Sequence, residues 1–431
     1  MERVLNIDVA PRTGQVVRIA GWLHNQRQLA HVTFALIRDR TGITQVVIED
    51  AALRARVGEM LPETVVEVEG LVVRTDQVPS GVEIHDPTIV VVSHPSELGP
   101  FELRRPTLDI QLPTLLDHAA LAQRHPRQQA YARIAAASVA GFRSALDSRG
   151  FTEIHTPKIV GSATESGAEV FGVDYFGAPA FLAQSPQFFK QMMVGALERV
   201  YEVGPVFRAE PHNTARHLAQ YTSLDVEFGF IEGHFDVMAL LSEVLREMRR
   251  TVLQRCTREI ELIGVEVPEV PDEIPYVHFS DAQEMIEAQT RERVIGEPDL
   301  SPSNERWLGE WALREYGSEF VFVVGYPMAK RPFYTRPDRD RPEFSKSFDL
   351  LFRGLELVTG GQRLHLYEEY VDVLAGENLE PLEGYLSAFR YGMPPHGGFA
   401  IGLERWVARL VGAENVRLVT LFPRDLTRLS P

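Results

Sequence analysis

Apolar and polar residues alternate with a period of two in five runs within the first hundred positions, a pattern typical of half-buried β-strands. Turn residues separate the runs, and a helical pattern covers residues 51–60, after the third run. The five predicted strands span residues 16–23, 32–38, 44–49, 65–74 and 88–93. Five strands with a helix between the third and the fourth predict a small closed barrel in residues 1–100.

The pattern changes after residue 100. Four prolines break regular structure between residues 100 and 126, so we predict a linker over residues 101–128. Apolar residues at helical spacing then predict a helix at 129–148, which Gly150 ends, and a long amphipathic helix at 234–257.

The pattern of the rest of the chain predicts a second domain, at residues 129–431. Strands and helices alternate irregularly there, which favours an antiparallel sheet flanked by helices, with a partly helical insertion at about 260–320. The fold class is therefore α+β. The element order of residues 1–100 is that of an OB-fold, and a small barrel of an unrelated type is the alternative.

The composition narrows the classes of function. The chain has 431 residues, a formal net charge of −16 and a hydrophobic fraction of 44%, values typical of a soluble globular protein. It contains no apolar run long enough to span a membrane, its N-terminus does not resemble a signal peptide, and Cys256 is its only cysteine. We therefore expect a cytoplasmic protein without membrane contact. The acidic charge argues against non-specific nucleic-acid binding but allows recognition of one folded RNA.

An arginine in a predicted strand begins the segment with the most specific chemistry. Arg208 offers a planar fork for a phosphate, and Glu210, on the same face of the strand, can accept a hydrogen bond from the amine of a base. Further cations and a ring for stacking follow in the next turn and near the C-terminus: Arg216, His217, Tyr221 and Arg405. Any single arginine is more simply a surface charge, but the whole set favours a site for a nucleoside triphosphate.

These segments resemble the three motifs of the class II aminoacyl-tRNA synthetases. The run from Phe207 to Glu227 resembles motif 2, and the run from Gly402 to Arg405 resembles motif 3. Residues 150–157, a helix end and a strand that stops at a proline, resemble motif 1. In that class this proline lies at the dimer interface, which implies a homodimer. The resemblance covers essentially the whole chain and is greatest to the aspartyl-tRNA synthetases of the compact archaeal type.

The resemblance implies a reaction and a set of residues for it. L-aspartate would be activated with ATP to aspartyl-adenylate and transferred to the 3′ end of tRNA-Asp, with Arg208, Glu356 and Arg405 as catalytic residues. The implied ATP-binding residues are Arg208, Ala209, Glu210, Arg216, His217, Leu218, Tyr221, Glu356, Gly402, Leu403, Glu404 and Arg405.

The segment that ends at Lys190 is similar to the strip where this family binds the substrate side-chain carboxylate, and Arg363 supplies a second cation. Two convergent cations suit a carboxylate. An asparagine amide would leave both charges buried without a counter-charge, at a cost of several kcal/mol. The implied aspartate contacts are Glu165, which lies in a loop that is mobile in the family, and Gln187, Lys190, Arg208, Thr359 and Arg363.

Oxygen ligands for a metal ion occur close together near residue 350. Asp349 and Glu356 are seven residues apart and Thr359 is three further, and such hard ligands suit the Mg²⁺ that accompanies ATP. The resemblance places Glu356 and the Thr359 hydroxyl on the ion. The 13 histidines lack zinc-binding spacing, so we predict no zinc site.

The predicted barrel carries candidate contacts to tRNA. Phe34 and Gln45 match the family pair that stacks on and reads the central anticodon base, and Glu83 is a candidate for the last base. A buried core phenylalanine is the alternative for Phe34. His24 and Pro79, interpreted as two loop positions, resemble the members that charge both tRNA-Asp and tRNA-Asn, because strict members carry a tryptophan and a lysine there.

Three other functions remain open. An asparaginyl-tRNA synthetase shares the fold and the motifs, but Lys190 and Arg363 argue against it. An asparagine synthetase built on the same catalytic fold would not need the N-terminal barrel. A non-catalytic tRNA-binding paralogue would be expected to have lost some of the catalytic residues, which are all present.

Overall fold

The computed structural model describes residues 1–161 and 170–430. The chain divides into two compact units, Met1–Gln111 and Leu112–Pro431. The described helices include none with the length and apolar character that crossing a membrane requires.

The N-terminal unit is a closed barrel of five strands in the order β1-β2-β3-β5-β4, which confirms the predicted OB-fold. Its elements are β1 Val16–Gln28, β2 Thr33–Arg38, β3 Ile43–Ile48, α1 Ala51–Gly58, β4 Val65–Arg74 and β5 Val82–Ser93. Asp50 caps α1 by accepting the backbone N–H of Leu53 at 2.7 Å. Alternate residues of the strands fill the core, among them Ile19, Val46, Val68 and Ile84.

The second unit is built on an eight-stranded sheet in the order β12-β13-β14-β15-β16-β11-β10-β6, which confirms the α+β class. Its strands are β6 Thr152–Glu153, β7 Ile159–Val160, β8 Gly172–Tyr175, β9 Ala178–Leu182, β10 Arg199–Phe207, β11 Gln220–Gly229, β12 Tyr276–His278, β13 Phe320–Val324, β14 Ser347–Phe352, β15 Leu355–Gln362 and β16 His396–Gly402. The six central strands are antiparallel, and only the edge pairs β12–β13 and β10–β6 are parallel. The three remaining strands form a small sheet, β7-β9-β8.

Helices cover this sheet and surround the largest core of the chain. They are α2 Leu112–Asp117, α3 Ala119–Ala122, α4 Pro126–Asp147, α5 Gln187–Leu197, α6 His234–Arg255, α7 Thr257–Ile263, α8 Phe279–Thr290, α9 Pro302–Tyr316, α10 Tyr367–Val373, α11 Glu383–Arg390 and α12 Leu403–Leu410. The helices α4 and α6 approach closely at Gly141, where a Cβ atom would lie 2.7 Å from the Met248 Cα. The Trp406 indole is fully buried and donates to the Ser138 hydroxyl at 2.9 Å, which fixes α12 against α4.

Two predicted segments differ from the structure. The predicted linker contains α2 and α3, and α4 begins at Pro126 instead of residue 129, because proline is compatible with the first turn of a helix. The predicted insertion at 260–320 contains α8 and α9, but its strand β12 pairs with β13 at the edge of the main sheet.

Candidate active site

One face of the central sheet carries the candidate site, because alternate residues of a strand point to the same side. On β11 these residues are Tyr221, Ser223, Asp225 and Glu227. Their partners on β16 are small, namely Gly402 opposite Ser223, Ala400 opposite Asp225 and Gly398 opposite Glu227. A Cβ atom at Gly398 would lie 2.2 Å from the Glu227 Oε2, so glycine makes room for that carboxylate.

A cavity of about 140 Å³ opens over the end of this face. Ten of the twelve residues predicted to bind ATP line it: Arg208, Glu210, Arg216, His217, Leu218, Tyr221, Glu356, Gly402, Glu404 and Arg405. Ala209 instead lines a smaller neighbouring depression, and Leu403 is buried in the core. The sequence argument missed Ser223, Leu357, Ala400 and Val416, which also line the cavity and carry no charge by which a site could be recognised.

Three arginines, a histidine and three glutamates, Glu210, Glu356 and Glu404, line this cavity. The Arg208 guanidinium lies 5.9 Å from the centre of the Tyr221 ring and 3.8 Å from the Glu210 carboxylate. Burial and the neighbouring Arg405 lower the pKa of His217 below its usual value, so its ring is neutral at pH 7. Arg405 donates to the carbonyl of Arg216 at 3.4 Å and to that of Glu356 at 3.3 Å. The nucleotide motifs of the second unit therefore meet at one place.

The three predicted metal ligands lie together on β14 and β15. Asp349 pairs with Thr359 in the sheet register, and the Thr359 hydroxyl donates to the Glu356 carboxylate at 3.0 Å. Burial raises the pKa of Asp349 to about 6, although Arg331 contacts this carboxylate at 3.1 Å. Burial also opposes ionisation of Glu356, but Arg405 and the Thr359 hydroxyl outweigh it and lower its pKa. The described residues hold no group of three or more His, Cys, Asp or Glu side chains that could bind a metal.

Next to the cavity that the motif arginines line, along β11, four buried side chains form a charge cluster. The Lys190 ammonium lies 3.0 Å from the Asp225 carboxylate and 3.4 Å from that of Glu227. Arg363 donates to Glu227 at 3.0 Å and to the carbonyl of Gly398 at 3.1 Å. Burial disfavours the Glu227 charge, but Arg363 and Lys190 outweigh it and lower its pKa, so the cluster contains two positive and two negative groups.

The structure corrects one argument about this cluster. The sequence analysis expected Lys190 and Arg363 to be cations without a counter-charge in the absence of a substrate carboxylate. That expectation was wrong, because β11 brings Asp225 and Glu227 to the same place. Discrimination against an amide therefore cannot rest on uncompensated charge.

Of two further residues that were predicted to contact the substrate aspartate, Gln187 and Glu165, the structure describes only Gln187. The Gln187 side chain is buried, and its Nε2 atom has no hydrogen-bond partner within the part of the chain that the structure describes. A buried donor without an acceptor is costly, so this atom is suited to a ligand oxygen. Glu165 lies outside the described residues.

The candidate tRNA residues of the N-terminal unit lie on one side of the barrel. Phe34 on β2 and Gln45 on β3 point to the same face, and the Gln45 amide donates to the Glu83 carboxylate at 2.5 Å. Phe34 is half-buried, whereas its neighbours Ala35 and Ile37 point into the core, so Phe34 is not the core phenylalanine of the alternative interpretation.

The two predicted discrimination residues differ in environment. Pro79 lies in the exposed loop between β4 and β5. His24, expected in a loop, lies in β1 at a register irregularity between Leu23 and Asn25, with a buried ring 2.9 Å from the Arg38 guanidinium. The loop expectation for His24 was therefore wrong, because β1 continues five residues past its predicted end at residue 23.

Comparisons with known proteins agree with this geometry. The model of the family "tRNA synthetases class II (D, K and N)" matches residues 111–426, and that of the "OB-fold nucleic acid binding domain" matches residues 17–92. The chain is 44% identical over 434 residues to the aspartate–tRNA(Asp/Asn) ligase of Thermus thermophilus, covering 100% of both chains. It is 38% identical over 427 residues to the aspartate–tRNA(Asp) ligase of Pyrococcus abyssi, covering 97% of both.

Solved structures show the same architecture. The asparaginyl-tRNA synthetase from Pyrococcus horikoshii complexed with asparaginyl-adenylate has a TM-score of 0.93 and 29% identity, with 100% of both chains covered. The aspartyl-tRNA synthetase from Entamoeba histolytica has a TM-score of 0.89 and 28% identity, with 100% of this chain and 93% of that chain covered. The chain thus belongs to the class II tRNA synthetases of the D, K and N group and, within that group, to the aspartate–tRNA ligases.

Proposed function

We propose that the protein joins L-aspartate to tRNA-Asp, and also to tRNA-Asn, at the expense of ATP. In the first step the α-carboxylate of aspartate attacks the α-phosphate of ATP and pyrophosphate leaves. In the second, a hydroxyl at the 3′ end of the tRNA attacks the carbonyl of aspartyl-adenylate and AMP leaves. The observation that carries the proposal is the buried pair Lys190 and Arg363 beside a cavity lined by the motif arginines.

Positioning and charge account for the first step, which needs no general base because the attacking carboxylate is already ionised. Arg208 would hold the α-phosphate and stabilise the charge that develops on it, while Arg216 and Arg405 would contact the outer phosphates. Glu210 would accept from the exocyclic amine of adenine, and the Tyr221 ring lies near enough to Arg208 to form one wall of the base site.

Selectivity for aspartate follows from the donors of the charge cluster. Lys190 and Arg363 carry N–H groups and no acceptors. A substrate carboxylate would present two acceptors to them and be held by charge-assisted hydrogen bonds, whereas the amide of asparagine presents a single acceptor, because Asp225 and Glu227 are the only members of the cluster that could accept from its NH₂ group. The preference would then rest on hydrogen bonds lost at the two cations, at about 1 to 3 kcal/mol for each buried group left unmatched.

Asp349, Glu356 and Thr359 fit a magnesium ion, since all three offer hard oxygen atoms and they lie in contact across two strands. When bound there, Mg²⁺ would offset negative charge on the phosphate oxygens. The chain itself contributes Arg331, which balances the Asp349 carboxylate in the absence of an ion.

The N-terminal unit would bind the anticodon through Phe34, Gln45 and Glu83, the first by stacking and the others by hydrogen bonds to base edges. The names of relatives that charge both tRNAs, with His24 and Pro79, support the wider tRNA range. The motif 1 resemblance supports a homodimer, and the single cysteine supports a cytoplasmic location.

Exchange of labelled pyrophosphate into ATP tests the amino-acid specificity. We expect exchange with aspartate and little with asparagine, and Arg208→Ala to reduce the aspartate-dependent rate about a thousandfold. Arg314→Ala, at an exposed arginine of α9, is the matched control and should retain the rate. Faster exchange with asparagine than with aspartate would favour an asparaginyl-tRNA synthetase instead.

Aspartylation of purified tRNA-Asn beside tRNA-Asp tests the tRNA range. We expect comparable rates for the two transcripts. A preference for tRNA-Asp above roughly a hundredfold would restrict the proposal to that tRNA alone.

A further inference from the structure

A buried carboxylate from outside the three motifs reaches the back of the nucleotide site. Glu305 lies in the first turn of α9, whose N-terminus Ser301 caps, and the residue is only 6% exposed. Its carboxylate accepts the backbone N–H of Glu356 at 3.0 Å and lies 3.5 Å from the Arg216 guanidinium. One side chain therefore contacts both the loop of motif 2 and the start of β15.

Arg216 is held at two points. Its carbonyl accepts a hydrogen bond from Arg405 at 3.4 Å, and its guanidinium pairs with Glu305. Arg216 lines both the nucleotide cavity and a second cavity of about 330 Å³ behind it, which Glu305 also lines. Glu305 lines only the second of these cavities, so its carboxylate is separated from a bound nucleotide by Arg216.

Holding this arginine has a physical benefit. A free arginine side chain loses rotamer entropy when it is fixed on a ligand. An arginine that a neighbouring carboxylate already holds avoids part of that loss, because its guanidinium is in position before the phosphates bind.

We propose that Glu305 is a positioning residue that holds Arg216 in place for the outer phosphates of ATP and anchors the backbone of Glu356 beside it. The inference rests on the proposed use of ATP. It predicts that Glu305 matters for ligands with β- and γ-phosphates and not for ligands that end at the α-phosphate.

Glu305→Gln tests this role, because the amide oxygen can still accept the N–H of Glu356 while the ion pair with Arg216 is lost. We expect the Kd for ATP to rise about tenfold and the Kd for AMP to stay within about twofold, as measured by calorimetry. Glu310→Gln, at an exposed glutamate of the same helix, is the matched control and should change neither Kd.

A double-mutant cycle separates positioning from general damage to the fold. In Arg216→Ala protein the additional Glu305→Gln change should leave the Kd for ATP unaltered, since the group that Glu305 positions is already absent. Equal weakening of ATP and AMP, or additive effects in the double variant, would overturn the positioning role.

The outcome for the wild-type protein distinguishes the two proposals. If the wild-type protein binds ATP and the Glu305→Gln variant binds it equally well, this inference fails and the proposed function stands. If the wild-type protein binds no ATP, the proposed function fails and the inference fails with it.

Discussion

At the scale of single residues, the charge cluster on β11 is a set of groups that depend on one another. Lys190 is 1% exposed and Glu227 is fully buried, so neither has water to replace a lost partner. Removing one member leaves a buried charge without compensation, which costs far more than the pair contributes when it is intact. The same cluster that would select the substrate is therefore also needed for folding.

Lys190→Met tests this dependence. We expect the free energy of unfolding to fall by about 3 to 5 kcal/mol, because Asp225 and Glu227 are left with a single cation. Urea unfolding measures the change, and Lys330→Met, at an exposed lysine, should change stability by less than about 0.5 kcal/mol. Adding Asp225→Asn to Lys190→Met should restore part of the loss. A Lys190→Met protein as stable as the wild type would contradict the cluster's structural role.

Most of the charged lining of the cavity could be predicted at this scale, since nine of the predicted residues that line it lie in the segments that resemble motifs 2 and 3. The neutrality of the charge cluster could not, because Lys190, Glu227 and Arg363 are far apart along the chain. The tertiary fold, which brings α5 and the residue after β15 against β11, places Asp225 and Glu227 beside the cations. Glu305 was missed for the same reason, as α9 resembles any surface helix in sequence.

At the scale of elements, β16 contributes to the candidate site mainly through its backbone and less through its side chains. Its residues opposite the site are small, so β11 and β15 approach it closely and the carboxylates of β11 have space above it. The position of β16, which leads into motif 3, is therefore fixed by its two neighbouring strands before the helix α12 begins.

Gly398→Ala tests this constraint. A Cβ atom there would lie 2.0 Å from the carbonyl oxygen of Val226 and 2.2 Å from the Glu227 carboxylate. We expect a loss of about 3 kcal/mol in stability together with loss of aspartate binding. Gly384→Ala, in α11 with no heavy atom within 4 Å of the new Cβ, is the control and should be neutral or slightly stabilising. Unchanged stability of Gly398→Ala would show that β16 can move away from β11.

His396, the first residue of β16, should make the stability of the protein depend on pH. Burial lowers the pKa of His396 to about 4, so the folded protein keeps this ring neutral while an unfolded chain binds a proton below about pH 6.5. As the pH falls from 6.5 towards 4, the unfolded state gains protons first and stability declines.

We expect His396 to account for a loss of about 2 kcal/mol between pH 7 and pH 5. The measurement is urea unfolding at both pH values for the wild type and for His396→Asn, whose amide can replace the hydrogen bond to the carbonyl of Pro394. The variant should show a smaller decline than the wild type. Equal declines would mean that the ring takes up its proton in the folded state.

The elements themselves were largely predictable, and the errors have local causes. The strands β2, β3 and β4 match the predicted bounds within one residue because their period of two is regular. The start of α4 was placed late because Pro126 was interpreted as a break, although His125 caps the helix and the proline fits its first turn. Likewise, β5 begins at Val82 instead of residue 88, since Asp86 and Pro87 within it resemble a turn.

At the scale of the whole molecule, each of the two units has its own core, and the nucleotide cavity and the charge cluster lie entirely in the second. The proposed adenylation would therefore draw on residues 112–431 alone, whereas recognition of the anticodon would need the barrel.

A protein consisting of residues 112–431 should keep aspartate-dependent pyrophosphate exchange, with KM values for ATP and aspartate within about threefold of the full chain. Its aspartylation of tRNA-Asp should fall at least about a hundredfold, because the contacts of Phe34, Gln45 and Glu83 are absent. Aminoacylation assays beside the full chain measure this. Undiminished aspartylation would remove the barrel from tRNA recognition.

The strand β11 lies beneath both the cavity and the charge cluster, and it sets the distance between them. Ser223 at the nucleotide cavity and Glu227 at the charge cluster are four residues apart on β11, a span of about 13 Å set by the backbone rise alone. No single side-chain replacement can lengthen it, and a register slip of one residue would turn the whole face away. The separation of Ser223 and Glu227 is thus fixed in the sheet, beyond the reach of ordinary point mutations.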